Sequence, residues 1–329
     1  PDGFGTGTRE QAVSGAALLL ALGCGLAHAQ TSPEALALQN KINQATHKLS
    51  YTGTFIYQQG TRTEVSRIAR IADASGSIEK LEVLDGVPRE VVRTREGVRC
   101  YLPASQTVKI ERASAQRDFP AILPDRLNEL PQYYTATRGE PARIAGYDCV
   151  SVKLTPRDDL RYGYVLWADA SSGMLLRART VNEKGETIEQ FTFTQLQIGP
   201  VARDKVRPKH AARNWRIEDA AAAPADLSEA GWTVNADLPG FRKIDEVRRK
   251  LRESQMVGQV VYSDGLAAVS IFIEPLSERR EIMRTGMSNL GAFNIYTREV
   301  ANHLVTVVGE TPAASVRRIA DRVEFKRPQ

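Results

Sequence analysis

The sequence predicts an α+β protein built on two antiparallel sheets, and three observations carry that expectation. From Tyr51 onward, short runs alternating β-branched or aromatic residues with polar ones recur along the chain, separated by explicit turn signals. Helical spacing is confined to about 33–49, a short Pro-punctuated insertion around 120–131, and about 312–324. Between 201 and 227 the pattern lapses into a Pro- and Ala-rich stretch that separates the strands into two groups.

The N-terminus reads as a targeting segment. Residues 12–27 form an apolar run centred on Leu18, Leu19, Leu20 and Leu22, and Ala27-His28-Ala29 supplies the small residues of a cleavage site, so 1–29 is expected to be a signal peptide cut after Ala29. The run is shorter than the roughly 20 apolar residues that span a bilayer. Leu22 stands one position too late for Cys24 to be a lipid attachment site. Removing Asp2, Arg9 and Glu10 with the leader takes the formal charge from +5 to +6. A modest positive excess suits work beside anionic surfaces, or solubility alone.

Residues 30–329 are long enough for two domains, expected at 30–200 and 228–329, with 201–227 as a linker crossing solvent. Ser32 is placed to cap a helix with Pro33 in its first turn, followed by Leu36, Ile42, Ala45 and Leu49. Strands are expected at 51–58, 63–72, 78–84, 89–94, 98–102 and 106–111, with turns at Asp73-Ala74-Ser75-Gly76 and Asp85-Gly86. Further strands are expected at 133–138, 148–155, 162–169, 174–181 and 187–198. A sheet of this kind curling around one helix leaves a concave apolar face, filled by the helix or by a ligand. The second domain reads as strands near 231–235, 241–249, 256–263, 267–274, 290–297 and 301–308, then a helix opened by Thr311-Pro312.

Catalytic patterns are missing from the sequence. There is no Gly-x-Ser-x-Gly elbow, no His-Glu-x-x-His, no Cys pair at zinc spacing and no phosphate-cradling glycine loop. Ser77-Ile78-Glu79-Lys80 has the Ser-x-x-Lys spacing but leads into a strand. His47, His210 and His303 each stand alone. The reading is therefore a binding protein, neither an enzyme nor a metal or cofactor carrier. Arg248-Arg249-Lys250, Arg279-Arg280 and Arg317-Arg318 are read as solvated faces, with no nucleic acid as partner once the chain is exported. Cys100 and Cys149 form an even pair in an oxidising compartment, which allows either a disulfide or two buried free thiols.

Several segments in order resemble the RseB/MucB family of periplasmic regulators of the envelope-stress sigma factor. They are Tyr51–Tyr57, Glu79–Val91, Cys100-Tyr101-Leu102-Pro103, Arg143-Ile144-Ala145-Gly146, Pro156-Arg157-Asp158, Arg161–Trp167, Tyr262–Phe272 and Val305–Glu310. The resemblance implies a first domain like the lipoprotein carriers LolA and LolB, an antiparallel half-barrel over helices, joined to a smaller C-terminal α+β domain with an antiparallel sheet. It implies a periplasmic negative regulator that binds the periplasmic segment of the anti-sigma factor RseA or MucA and shields it from proteolysis. Release would follow when lipopolysaccharide or the acyl chains of mislocalised lipoprotein are sensed. A lipid or lipoprotein carrier of the LolA type is the alternative, and a homo-oligomer is left open. Tyr57, Tyr101, Tyr133, Tyr134 and Trp167 are the candidates for lipid contact, with core packing as the competing reading. Tyr262, Ser263, Asp264, Phe272, Asn294 and Tyr296 are the candidates for the partner face, with a β-hairpin core as the competing reading.

Overall fold

The computed structural model describes residues 31–112, 123, 127–210, 212–219, 222–252, 255–276 and 285–327. The leader expected at 1–29, with its cleavage after Ala29, lies outside the described residues. No helix among the described residues is long and apolar enough to cross a membrane.

The first helix, α1 (Pro33–Lys48), starts where the capping signal places it: Ser32 Oγ accepts from the Ala35 amide at 3.1 Å and Pro33 occupies the first turn. Its buried stripe is Ala35, Gln39, Ile42, Ala45 and Thr46. The strands β1 (Tyr51–Gln59), β2 (Arg62–Asp73), β3 (Gly76–Val83), β4 (Glu90–Thr94), β5 (Gly97–Leu102) and β6 (Thr107–Arg112) form one antiparallel meander. After the one-turn helix α2 (Leu130–Tyr133), a second meander runs through β7 (Tyr134–Ile144), β8 (Tyr147–Pro156), β9 (Gly163–Asp169), β10 (Leu175–Val181) and β11 (Thr187–Ile198). The two meanders join where β1 pairs with β11, giving one large sheet.

That pairing brings Phe55 opposite Phe193 and Tyr57 opposite Phe191. Phe193 crosses over Gly53, where a Cβ would lie 2.7 Å from the ring, so only glycine fits. The sheet curls into a half-barrel, and the Tyr147 hydroxyl at the start of β8 donates to Leu196 O on β11 at 3.2 Å. Its concave side holds Tyr51, Phe55, Ile68, Leu154, Leu166, Ala178 and Phe193 around Ile42 of α1. The helix thus fills the apolar face.

The segment from 201 to 227 differs from its expected course through solvent. A 3-10 turn at Arg203–Val206 presses Val206 onto Ala69 and Ile71 on the convex face of the sheet. Lys80 Nζ donates to Arg207 O at 3.0 Å, the Lys209 amide donates to Glu90 Oε2, and Trp215 packs on Tyr101 and Val108. The chain then adds β12 (Arg216–Asp219) in parallel to β6, and β13 (Ala222–Pro224) to the second sheet. Poor apolar periodicity here reflects a strap whose few apolar side chains meet another element's face.

The second domain contains β14 (Trp232–Thr233), β15 (Arg242–Arg252), β16 (Gln255–Ser263), β17 (Ala268–Pro275), β18 (Gly286–Leu290), β19 (Phe293–Val300), β20 (His303–Gly309), α3 (Ala313–Asp321) and β21 (Glu324–Phe325). Its sheet runs β13-β15-β16-β17-β20-β19-β18, and β14 pairs only with β21. Val316, Ile319 and Ala320 of α3 pack on Val269, Ile271, Val305 and Val307. The whole is α+β, as the alternating runs predict.

Of the two readings left open for Cys100 and Cys149, the bridge is not formed. Both thiols are free, Cys100 on β5 and Cys149 on β8, at opposite wings of the large sheet. An even cysteine count permits a disulfide, but strand order decides whether the sulfurs meet. Burial, followed by the charge of Asp169, pushes the Cys149 thiol up to about 11. At pH 8 only about one part in a thousand of such a group is thiolate. Iodoacetamide should label half-buried Cys100 and leave Cys149 unmodified until denaturant is added; labelling of folded Cys149 at the rate of a free thiol would refute this placement. The same shift fixes a sign. Stability from keeping Cys149 protonated is complete below the unfolded value of about 8.5 and is lost as pH rises toward about 11.

Candidate binding site at the domain junction

Two loops that carry family-like segments meet between the domains. The β8–β9 loop contributes Asp158, Leu160, Arg161 and Tyr162, and the β16–β17 hairpin contributes Asp264 and Leu266. The Arg161 side chain is fully buried. Its Nε donates to Asp158 Oδ1 at 2.9 Å, Nη1 to Asp264 Oδ2 at 2.8 Å and Nη2 to Pro239 O at 2.6 Å. The rings of Tyr133, Phe241 and Tyr134 surround the guanidinium at 4.8, 5.3 and 5.6 Å from their centroids. Burial opposes the charge, but the Asp158 bond and the Asp264 charge outweigh it and hold Arg161 above the ordinary arginine value.

Asp264 is shared. Its Oδ2 accepts from Arg161 and from the Tyr134 hydroxyl at 3.2 Å, while Oδ1 accepts from the Leu266 and Ala267 amides, each at 2.8 Å, shaping the hairpin turn. Burial first, then the Asp264 charge, pushes the Tyr134 hydroxyl far above its usual range, so it acts as a donor. Around this ion pair the domains exchange apolar side chains: Leu266 enters the first core and Leu160 packs against the second. Asn294 Nδ2 donates to the Tyr162 hydroxyl and to Thr311 O, both at 2.8 Å, and Ser315 Oγ donates to Leu160 O. Gly240, at φ +80°, leaves room for Tyr133, since a Cβ there would come within 2.5 Å of the ring.

The candidates for lipid contact do not converge. Tyr57 lies on the concave side, half-buried beside Glu189, and burial together with that carboxylate raises its hydroxyl far above the usual range. Tyr101 stands on the convex face with its ring 6.4 Å from that of Trp215. Trp167, in register with Arg177 and Ser151, also faces away from Leu166. Tyr133 and Tyr134 line the junction. Of the partner candidates, Asp264 and Asn294 serve the junction, Ser263 braces its own hairpin, and Tyr262 donates to Val234 O at 2.9 Å. Phe272 is in register with Thr306 and Tyr296 with Val307, so the two lie on opposite faces of the second sheet.

Arg161 is the site residue that sequence reading missed. Its neighbours Asp158 and Asp159 make the loop look solvated, and its partner lies 103 positions away. A second missed group is Gln39, 1 % exposed on the buried stripe of α1, whose amide oxygen and nitrogen make no hydrogen bond among the described residues. It sits in the position where the concave face is closed by the helix.

Each group predicts a measurable change in stability. Asp264→Asn should cost about 3–5 kcal/mol in denaturant unfolding by removing the fully buried one of the two carboxylates that Arg161 pairs with, and Arg161→Met with Asp264→Leu should recover most of it. Equal losses in single and double variants would show that the hairpin turn, and not the ion pair, carries the cost. Gln39→Leu should stabilise the fold by about 1–3 kcal/mol; destabilisation would mean that the amide is satisfied in solution.

Comparison with known proteins places these loops in a family context. The chain matches the MucB/RseB N-terminal domain over residues 34–214 and the MucB/RseB C-terminal domain over residues 226–324. It is 31% identical over 311 residues to the sigma factor AlgU regulatory protein MucB of Pseudomonas aeruginosa, covering 92% of this chain and 95% of that protein. Identity to the sigma-E factor regulatory protein RseB of Escherichia coli K12 is 25% over 310 residues, covering 92% and 94%. The crystal structure of MucB in complex with MucA(peri) superposes with a TM-score of 0.69 at 28% identity, covering 89% of this chain and 100% of that one. MucB crystallised alone gives 0.67 at 26% identity, covering 90% and 99%. With both domain models matched in order along one continuous chain, this protein belongs to the MucB/RseB family.

Proposed function

We propose that this chain is a periplasmic regulator that binds the periplasmic segment of a membrane-anchored anti-sigma factor of the RseA or MucA kind and shields it from proteolysis. The observation that carries the reading is full-length similarity, through both domains and the strap between them, to a regulator solved with MucA(peri). A LolA-type carrier would need the first domain alone, so the second domain favours regulation. On this reading the protein works by binding and carries out no catalysis.

The junction gives the proposal a physical form. A binding surface shared by two domains has its shape set by how those domains are held, and Arg161 and Asp264 hold them. The lipid side of the reading is that an acyl chain from lipopolysaccharide or mislocalised lipoprotein enters beneath α1, where Gln39 lies, and favours an arrangement that binds the anti-sigma segment weakly. Each ligand then lowers the other's affinity by the same factor.

The test is a pull-down of the purified anti-sigma periplasmic segment by this protein at micromolar concentration, followed by digestion with the site-1 protease. Retention and slowed cleavage are expected, with both effects reduced when lipopolysaccharide is added. No retention at micromolar protein would overturn the regulatory reading. Retention unaffected by lipopolysaccharide would leave the regulator and remove the lipid coupling.

A further inference from the structure

The convex face of the first sheet carries two arginines without an acidic partner. Arg177 and Arg179 occupy alternate positions on β10 and so project to the same face. Both lie over one indole, with Arg177 Cζ 5.5 Å and Arg179 Cζ 5.1 Å from the Trp167 ring centroid. Trp167 is itself fixed, its Nε1 donating to Glu140 O at 3.1 Å. Each arginine is steered by its Nε alone, Arg177 to Thr192 Oγ1 at 3.1 Å and Arg179 to Gln190 Oε1 at 2.6 Å. Among the described residues, neither forms an ion pair, and their terminal nitrogens make no hydrogen bond. Lys153, exposed and in register with Val165 on the same face, adds a third cation.

A purely structural arginine pair is ordinarily neutralised. The other buried or half-buried arginines among the described residues follow that rule: Arg70 and Arg93 share Glu79, Arg89 has Glu64, Arg161 has Asp158 and Asp264, Arg249 has Glu111 and Arg298 has Asp321. Arg177 and Arg179 instead repel one another, and burial together with the Arg179 charge holds Arg177 below the ordinary arginine value. The indole face offsets only part of that cost. Two planar forks with unused donors, held side by side on a rigid sheet, are complementary to an oxyanion with several acceptor oxygens.

We propose that Arg177, Arg179 and Trp167 form a receptor for a phosphate monoester. Charge selects this class: a phosphate monoester carries about −1.5 to −2 at neutral pH with three acceptor oxygens, matching two guanidiniums, whereas a carboxylate neutralises only one. The site goes beyond the anti-sigma reading and does not rest on it, because its residues lie on the sheet face opposite the helix-filled concavity and none of them belongs to the Arg161–Asp264 junction.

The experiment titrates the purified protein by calorimetry with inorganic phosphate, and by co-sedimentation with phosphatidylcholine vesicles with and without phosphatidic acid. The Arg177→Gln, Arg179→Gln double variant should weaken phosphate binding more than about tenfold, a loss of at least about 1.4 kcal/mol, because the charged donors are removed. Its stability without phosphate should equal or exceed that of the parent, because a like-charge pair has been removed. Binding of inorganic phosphate identifies a soluble source, and binding only to phosphatidic acid vesicles identifies a lipid headgroup. Either supports the site if the double variant loses it. Should the double variant fail to fold, Arg179→Gln carries the same test. No binding of either probe, or equal binding by parent and variant, overturns the proposal. So does binding of poly-glutamate with neither phosphate probe, which would make the face an acidic-peptide surface.

Discussion

A fully buried guanidinium must be satisfied on every side, and that requirement at Arg161 organises how the two domains meet. Water is excluded, so its donors have to find oxygens, and they find them on three separate segments: Asp158 of its own loop, Asp264 of the second-domain hairpin and Pro239 of the chain leading into β15. The planar fork fixes the directions of these bonds as well as their lengths. Rotating one domain against the other breaks at least one bond without offering water in return. Such a pair contributes little net stability over an apolar substitute, yet it penalises every wrong orientation by several kcal/mol. Tyr134 reinforces the arrangement by donating to the same carboxylate.

The strap supplies a second constraint. Val201, Val206 and Trp215 lie against the convex face of the first sheet, residues 216–219 add an edge strand to it, and residues 222–224 add another to the second sheet. Arg249 on β15 also reaches Glu111 on β6, at 3.0 Å. The domains are therefore tied by backbone pairing and ion pairs at one place and by the Arg161 cluster at another. Two attachments remove the free pivot that a solvent-crossing tether would provide.

Much of this is legible in the sequence. The strands of the first sheet follow from alternation in runs such as Thr52-Gly53-Thr54-Phe55-Ile56-Tyr57 and from turns such as Asp85-Gly86, because those signals are local. The α1 boundary follows from Ser32-Pro33 for the same reason. The strap strands are not legible: Arg216–Asp219 and Ala222–Pro224 have too few residues for any period, and they become strands only because β6 and β15 present open edges. The junction is equally hidden. Asp264 looks like a turn residue and is one, through its bonds to Leu266 and Ala267, but nothing nearby in sequence indicates that its other oxygen faces Arg161. For Tyr101 and Trp167, aromatic character predicts burial but not which face of the sheet is buried. A one-residue change of register decides that.

The same constraints limit how a regulator of this shape can switch. A buried ion pair does not loosen by degrees, because partial separation loses the attraction before water arrives to replace it. The junction is therefore either closed or open. A ligand moves that balance only by binding the two arrangements with different affinity, and a hundredfold difference corresponds to about 2.7 kcal/mol. That is less than the roughly 3–5 kcal/mol at stake in stranding the Arg161 charge, so a ligand acting beneath α1 has to do more than pull the ion pair apart. It has to leave both Arg161 and Asp264 with other partners or in contact with water. Leu266 offers a route for that coupling, since it projects from the turn that Asp264 shapes into the core that α1 closes. On the lipid coupling proposed above, displacing α1 would loosen the core that Leu266 enters, and with it the turn that Asp264 shapes, so that occupancy of the concave face and the orientation of the second domain would be one equilibrium.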